Sequence, residues 1–211
     1  MELFIIRHGD PDYANDTLTE KGWEQAKRLS ERMMMIKPDK IYSSPMGRAK
    51  DTAKPTCEKL GMTYNVEEWM AESMDYMHDP VIIKGEIPEC SWETNFLYGV
   101  QNFRDFSSEN RQHTLDRLPI CSDDFLSRHG YIRHGLVYKA KEPNDDKIAV
   151  FCHGGFGGAW IAHLLSLPPA IGRLLFALET ASVTKFVFQE TANGYAYPKC
   201  IYLNSVIHLL K

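Results

Sequence analysis

Leu3-Phe4-Ile5-Ile6-Arg7-His8-Gly9 is an unbroken run of four apolar residues followed at once by arginine, histidine and glycine. A continuous apolar run, rather than an alternating one, suits a parallel strand covered on both faces. In open α/β sheets, ligands bind where such strands end at their carboxyl edge. Arg7 and His8 are therefore expected at the mouth of a cleft, on a rigid support. Gly9 lets the backbone turn there without a Cβ in the way.

A second stretch has the same form. Lys147-Ile148-Ala149-Val150-Phe151-Cys152 runs straight into His153-Gly154-Gly155-Phe156-Gly157-Gly158. Neighbouring parallel strands lie about 4.8 Å apart, so if these two are adjacent their terminal imidazoles reach one small volume. A third, short strand, Lys40-Ile41-Tyr42-Ser43, leads into a helix opened by Ser44-Pro45 and carrying Arg48 in its first turn. A helix start favours an anion through its unpaired N–H groups and its dipole. Arg7 and Arg48 together can hold a phosphate by forked hydrogen bonds.

The rest of the chain fits an alternation of strands and helices. Asp10 to Asp16 reads as a polar turn-forming loop. Thr19 is placed to cap the next helix, whose Trp23, Ala26, Leu29 and Met33 recur at helical spacing and are expected in the core. Met33-Met34-Met35 reads as its buried end, and Lys37-Pro38-Asp39 stops it. Ala49, Ala53, Cys57 and Leu60 mark the buried stripe of the following helix, which Pro55 is expected to bend or end early. Met62 to Val66 reads as a further strand, and Val183 to Phe188 and Ile201 to Leu203 as two closing strands. Residues 73–146 mix aromatics and charges without a sheet pattern and read as a mostly helical insertion able to cover the cleft. The expected fold is an α/β three-layer αβα sandwich with a mainly parallel central sheet. A single domain spans 1–211, its core being 1–72 and 147–211 and its cap-like insertion 73–146.

Composition narrows the function classes. With 44% hydrophobic and 25% charged residues the chain is an ordinary globular protein. A net charge of -4 argues against nucleic acid as partner, which calls for a basic face. The five cysteines are scattered and form no CxxC pair, as free thiols in a reducing compartment do. No signal-peptide pattern opens the chain, and the apolar stretch around Ala159 to Ile171 is interrupted by His163, Ser166, Pro168 and Pro169. It falls short of the ~20 apolar residues a membrane span takes. A cytoplasmic location without membrane partner is the expectation.

In order along the chain stand Arg7-His8-Gly9, Leu18-Thr19-Glu20-Lys21-Gly22 with Gln25-Ala26, and Ser43-Ser44-Pro45 with Arg48-Ala49 and Thr52-Ala53. Glu72, His153-Gly154-Gly155, and Asn204 with His208-Leu209 follow. This ordered set resembles the histidine phosphatase superfamily, the group that includes cofactor-dependent phosphoglycerate mutases. The likeness covers residues 1–72 and 147–211. It implies that His8 attacks phosphorus and carries the phosphoryl group. Arg7, Arg48 and His153 would bind the phosphoryl oxygens, and Glu72 would protonate the leaving alkoxide and later activate water. The chemistry is self-consistent. A neutral imidazole is a competent nucleophile near neutral pH, and the spread charge of the transferring group is stabilised mainly by positioned cations. A carboxyl beside a bound dianion is pushed toward its protonated form. Neither a metal nor a cofactor is required.

The likeness has gaps that favour a phosphatase over a mutase. Asp10-Pro11-Asp12 follows the first motif, Asn15 is the nearest Asn, and Glu72 is followed by Ser73-Met74-Asp75. Asp10 and Asp12 stand as reserve acids, and Asn15 is not expected to hold phosphate. The substrate is expected to be a small phosphomonoester. Three rivals stay open: a phosphoglycerate-type mutase, a non-catalytic phosphate- or partner-binding domain, and a two-histidine metal hydrolase. His78, His113, His129 and His134 are expected on the insertion's surface, and the spacing of His129 and His134 does not suit a shared helix face. His208 reads as a structural partner near the last strand.

Overall fold

The computed structural model describes residues 1–73, 109–167, 169 and 172–210. Strand β1 (Glu2–Arg7) lies parallel to β8 (Lys147–Cys152), with Arg7 opposite Cys152. On the far side of β8, β4 (Lys40–Ser43) and then β5 (Asn65–Val66) continue in parallel. On the other side of β1 the pairing turns antiparallel through β9 (Val183–Glu190), β10 (Tyr195–Ser205), β7 (Val137–Ala140) and β6 (Tyr131–His134). Among the described residues the result is one eight-stranded sheet with a parallel half and an antiparallel half. A small ladder of β2 (Pro11–Asp12) and β3 (Thr17–Leu18) stands apart.

The apolar run of β1 exists because both of its faces are covered. Phe4 and Ile6 pack with Leu29 and Met33 of helix α1 (Glu20–Ile36) and Ala53 and Cys57 of α2 (Gly47–Leu60). Leu3 and Ile5 pack on the opposite side with Phe125 of α3 (Glu109–Ser127) and Phe156 and Trp160 of α4 (Gly154–Leu164). Helices on both faces of one sheet make the three-layer αβα architecture.

Local signals set the helix ends. Thr19 caps α1, its hydroxyl accepting the Gly22 N–H, and Lys37 closes it in the left-handed conformation at φ 55°. Trp23, expected in the core, is 37% exposed, and of the methionine triplet only Met33 is buried, because α1 turns one narrow stripe inward. Pro55 does not end α2, which runs on to Leu60. The buried stripe of Ala49, Ala53 and Cys57 outweighs the one backbone bond a proline removes.

Part of the expected insertion belongs to the sheet. Residues 131–140 form the β6–β7 hairpin, whose β7 pairs with β10, where a mostly helical segment was expected. Its tight turn places Gly135 at φ 62° as the first of two loop residues. The helical part is α3; residues 74–108, on which most of the expected cover of the cleft falls, lie outside the described residues. His129 was expected on the surface but is buried against Phe125 and Tyr42. His134 is exposed on the hairpin as expected, and the side chains of His78 and His113 lie outside the described residues. Among the described residues Cys57, Cys121, Cys152 and Cys200 are unpaired. Among the described residues no helix is long and apolar enough to cross a membrane.

Candidate active site

The carboxyl ends of β1, β8 and β4 meet on one edge, and each delivers its functional residue from a fixed backbone. The His8 N–H donates to the Cys152 carbonyl at 2.9 Å, so the first motif is tied to the strand before the second histidine. The Ser44 N–H donates to the Phe151 carbonyl at 2.9 Å, which brings the start of α2 alongside. Thr52, fully buried, accepts the Gly9 N–H at 2.9 Å and donates to the Arg48 carbonyl at 2.7 Å. That one hydroxyl fixes the turn after His8 relative to the turn of α2 that carries Arg48.

The imidazoles of His8 and His153 face each other edge-on, ring centres 5.2 Å apart. His8 Nδ1 lies 2.7 Å from the Gly9 carbonyl oxygen. A carbonyl only accepts, so Nδ1 carries the proton and Nε2 keeps its lone pair. Burial lowers the His8 pKa to about 4, with Arg7 and Arg48 pushing the same way against the Gly9 bond. Burial also lowers His153 to about 2, helped by His8, Arg48 and Arg7. Both rings are neutral at pH 7.

Two guanidiniums flank them. Arg7 donates through Nη1 to the Leu178 carbonyl, and its Nε lies so close to Gly154 that a Cβ there would sit 3.2 Å from it. Arg48, 6% exposed, is held by Asp16 at 2.6 Å and by Met46 Sδ at 3.2 Å, and its charge is felt by both histidines. Three buried nitrogens of this cluster, Arg7 Nε, Arg48 Nε and His153 Nδ1, have no hydrogen-bond partner among the described residues. Buried polar atoms are rarely left so, and orphaned nitrogens gathered around two imidazoles fit an anionic ligand.

Glu72 arrives from the chain beyond β5. The short helical turn Glu68–Met70 is anchored by fully buried Met70 and by Trp69 packing on Phe156 and Trp160. The Glu72 carboxylate accepts the Gly155 and Phe156 N–H groups at 3.0 and 2.9 Å, at the N-terminus of α4 and beside His153. Burial raises its pKa against these bonds, which favour the charge. Arg7, His8, Arg48, Glu72 and His153 thus share one neighbourhood.

The reserve acids do not join them as acids. Thr19, with Lys21 beside it, holds the Asp10 carboxyl below its ordinary range. Asp12 is taken up by Asn15, which is itself exposed. His208 lies 3.3 Å from Arg32. Sequence reading missed Asp16. Its carboxylate accepts the Gly47 N–H at 2.7 Å and the Arg48 guanidinium at 2.6 Å, and these outweigh a burial that opposes its charge. No local signal pointed to it; the close approach appears only in the fold, where a Cβ at Gly47 would stand 2.0 Å from the Asp16 carbonyl oxygen. Among the described residues no group of three His, Cys, Asp or Glu side chains could hold a metal ion.

Known proteins show the same arrangement of chain. The family model described as histidine phosphatase superfamily (branch 1) matches residues 3–196, insertion included. A probable phosphoglycerate mutase, GpmB, of Salmonella paratyphi A is 23% identical over 202 residues, covering 90% of this chain and 86% of its own. The crystal structure of phosphoserine phosphatase from Entamoeba histolytica in complex with 3-phosphoglyceric acid superposes with a TM-score of 0.64 at 22% identity, covering 99% of each chain. Mycobacterial glucosyl-3-phosphoglycerate phosphatase in complex with VO3 gives a TM-score of 0.62 at 21% identity, covering 97% of this chain and 99% of its own. At these identities the solved structures establish the fold.

Proposed function

The chain belongs to branch 1 of the histidine phosphatase superfamily, and from that premise we propose that it is a metal-independent phosphatase of small phosphomonoesters, working through a phosphohistidine on His8. The observation that carries this reading is the His8 ring itself: neutral, with Nδ1 committed to the Gly9 carbonyl and Nε2 left as a lone pair. In the first step Nε2 bonds to phosphorus as the ester P–O bond breaks, and Glu72 gives its proton to the departing oxygen. In the second, a water oxygen bonds to phosphorus as the P–N bond breaks, and the Glu72 carboxylate takes the water's proton. Arg7, Arg48 and His153 donate to the phosphoryl oxygens, whose charge is greatest in the two transition states.

Two supports favour hydrolysis over isomerisation. The sequence departs from the mutase pattern after His8 and after Glu72, and the two solved neighbours are named as phosphatases. The mutase reading rests on the curated relative named as a probable phosphoglycerate mutase. A screen of phosphorylated metabolites, including phosphoserine and phosphoglycerates, on wild type and His8→Ala tests both. Release of inorganic phosphate that vanishes in His8→Ala is the expected result. Isomerised phosphoglycerate without phosphate release would overturn the phosphatase reading, and equal turnover by the variant would overturn the nucleophile. Activity is expected to persist in excess chelator.

A further inference from the structure

Ser44 Oγ lies 2.6 Å from His153 Nε2, and both side chains are fully buried. Ser44 is not charged, and among the described residues its hydroxyl meets the cluster at His153. We propose that Ser44 is a positioning residue that locks His153 into the tautomer carrying its proton on Nδ1, so that Nδ1–H is the group offered to the phosphoryl oxygens.

The donor count supports this assignment. A neutral imidazole has one N–H, and His153 is neutral in this environment. Ser44 Oγ accepts the Met46 N–H at 3.3 Å, and among the described residues Nε2 is the acceptor for its own hydrogen. With the proton on Nδ1, Nε2 accepts the Ser44 O–H, and the hydroxyl both accepts and donates. With the proton on Nε2, the Ser44 hydroxyl hydrogen loses that acceptor in a buried place, and Nδ1 turns a lone pair toward the ligand. Nδ1 is the ring atom without a partner among the described residues, which leaves it for a ligand. A lone pair there would repel phosphoryl oxygens, whereas an N–H attracts them.

The backbone of His153 is fixed independently. It caps α4, and its carbonyl accepts the Gly157 N–H at 3.0 Å. Ser44 is therefore needed for the ring's proton and rotation rather than for the fold of the segment. The partner of an imidazole's second nitrogen commonly sets which nitrogen is protonated.

The proposal rests on the phosphatase reading for its consequence but not for its test. Histidine labelled with 15N reports protonation of each ring nitrogen in the ligand-free protein, with no turnover. Wild type is expected to show His153 protonated at Nδ1, and Ser44→Ala a mixture of tautomers. Inorganic phosphate, used as probe, is expected to shift the Nδ1 signals of wild type. On a substrate found by the metabolite screen, Ser44→Ala is expected to lower kcat ten- to a hundred-fold with KM changed much less, and Ser44→Thr, which keeps the hydroxyl, to recover most of it. A wild-type His153 protonated at Nε2, or a Ser44→Ala protein with an unchanged His153 tautomer, would overturn the proposal. Absence of phosphatase activity alongside the expected tautomer would count against the proposed function alone.

Discussion

His8 and His153, 145 positions apart in the chain, stand edge-on with ring centres 5.2 Å apart because the strands that end in them are hydrogen-bonded neighbours in parallel register. The two rings differ in their hydrogen bonds. His8 gives its Nδ1 proton to the carbonyl of Gly9, while His153 meets the hydroxyl of Ser44 through Nε2. On the proposed reading that difference separates a nucleophile from a phosphoryl ligand, and the first expectation follows from it.

Rapid quenching with a 32P-labelled substrate should trap one phosphoryl group on His8 of wild type and none on His8→Ala. His153→Ala should still label, at least a hundred-fold more slowly, as expected when one charge-stabilising donor is removed. Label found on His153 of wild type would reverse the two assignments.

Glu72→Gln should cost far more with alkyl phosphates than with aryl phosphates, whose leaving groups need little protonation. The sign with pH follows from the raised pKa of Glu72, caused chiefly by its burial. The acid acts only while protonated, so phosphorylation of His8 by alkyl substrates should slow as pH rises through that pKa. Aryl substrates should show no such limb. Equal losses on both substrate types would remove Glu72 as proton donor.

Gly47→Ala should disturb the site and the fold together. Its Cβ would stand 2.0 Å from the Asp16 carbonyl oxygen, so the loop must move and carry the Asp16 carboxylate off Arg48. Overpacking of this kind costs about 1–3 kcal/mol. Urea unfolding should show that loss, and KM should rise as Arg48 loses its fixed position. Asp16→Asn should raise KM with a smaller effect on stability, because the loop stays in place. A Gly47→Ala protein with wild-type stability and KM would sink this account.

The protein should lose stability in mild acid through its buried histidines. Burial lowers the pKa of His129 from 6.5 to about 4, with Lys40 and Arg128 adding to the effect. Between those values the unfolded chain takes up a proton that the folded one refuses, so stability falls as pH falls through the window. His129 alone accounts for up to about 3 kcal/mol, and His8, His153 and His208 act in the same direction. His129→Phe should unfold in urea with a smaller drop between pH 7 and pH 4.5 than wild type. An identical drop would show that His129 is charged in the folded protein.

Much of the fold was legible because its signals are local. The apolar runs of β1 and β8, the Thr19 cap and the Lys37 stop each act within a few residues, and each appears where its residues foretold. The β6–β7 hairpin was missed although Tyr131, Gly135 and Tyr138 carry a strand-turn-strand pattern. Its stability comes from pairing with β10, some 60 residues further on, and nothing local announces that partner. His129 was misplaced for the same reason, since Tyr42, a strand residue far earlier in the chain, helps bury it.

By itself, the sequence determined that strands ending in histidine would alternate with helices, and that Arg7, His8, Arg48, Glu72 and His153 were the residues to watch. Apolar runs, caps and residue chemistry are properties of short segments, and they survive without knowledge of neighbours. Only the tertiary structure decided that Asp16 grips Arg48, that Thr52 ties the His8 turn to α2, and that Ser44 meets His153. These are contacts between side chains and backbones that approach only once the sheet has ordered its strands, so their partners are chosen by packing and register rather than by spacing along the chain.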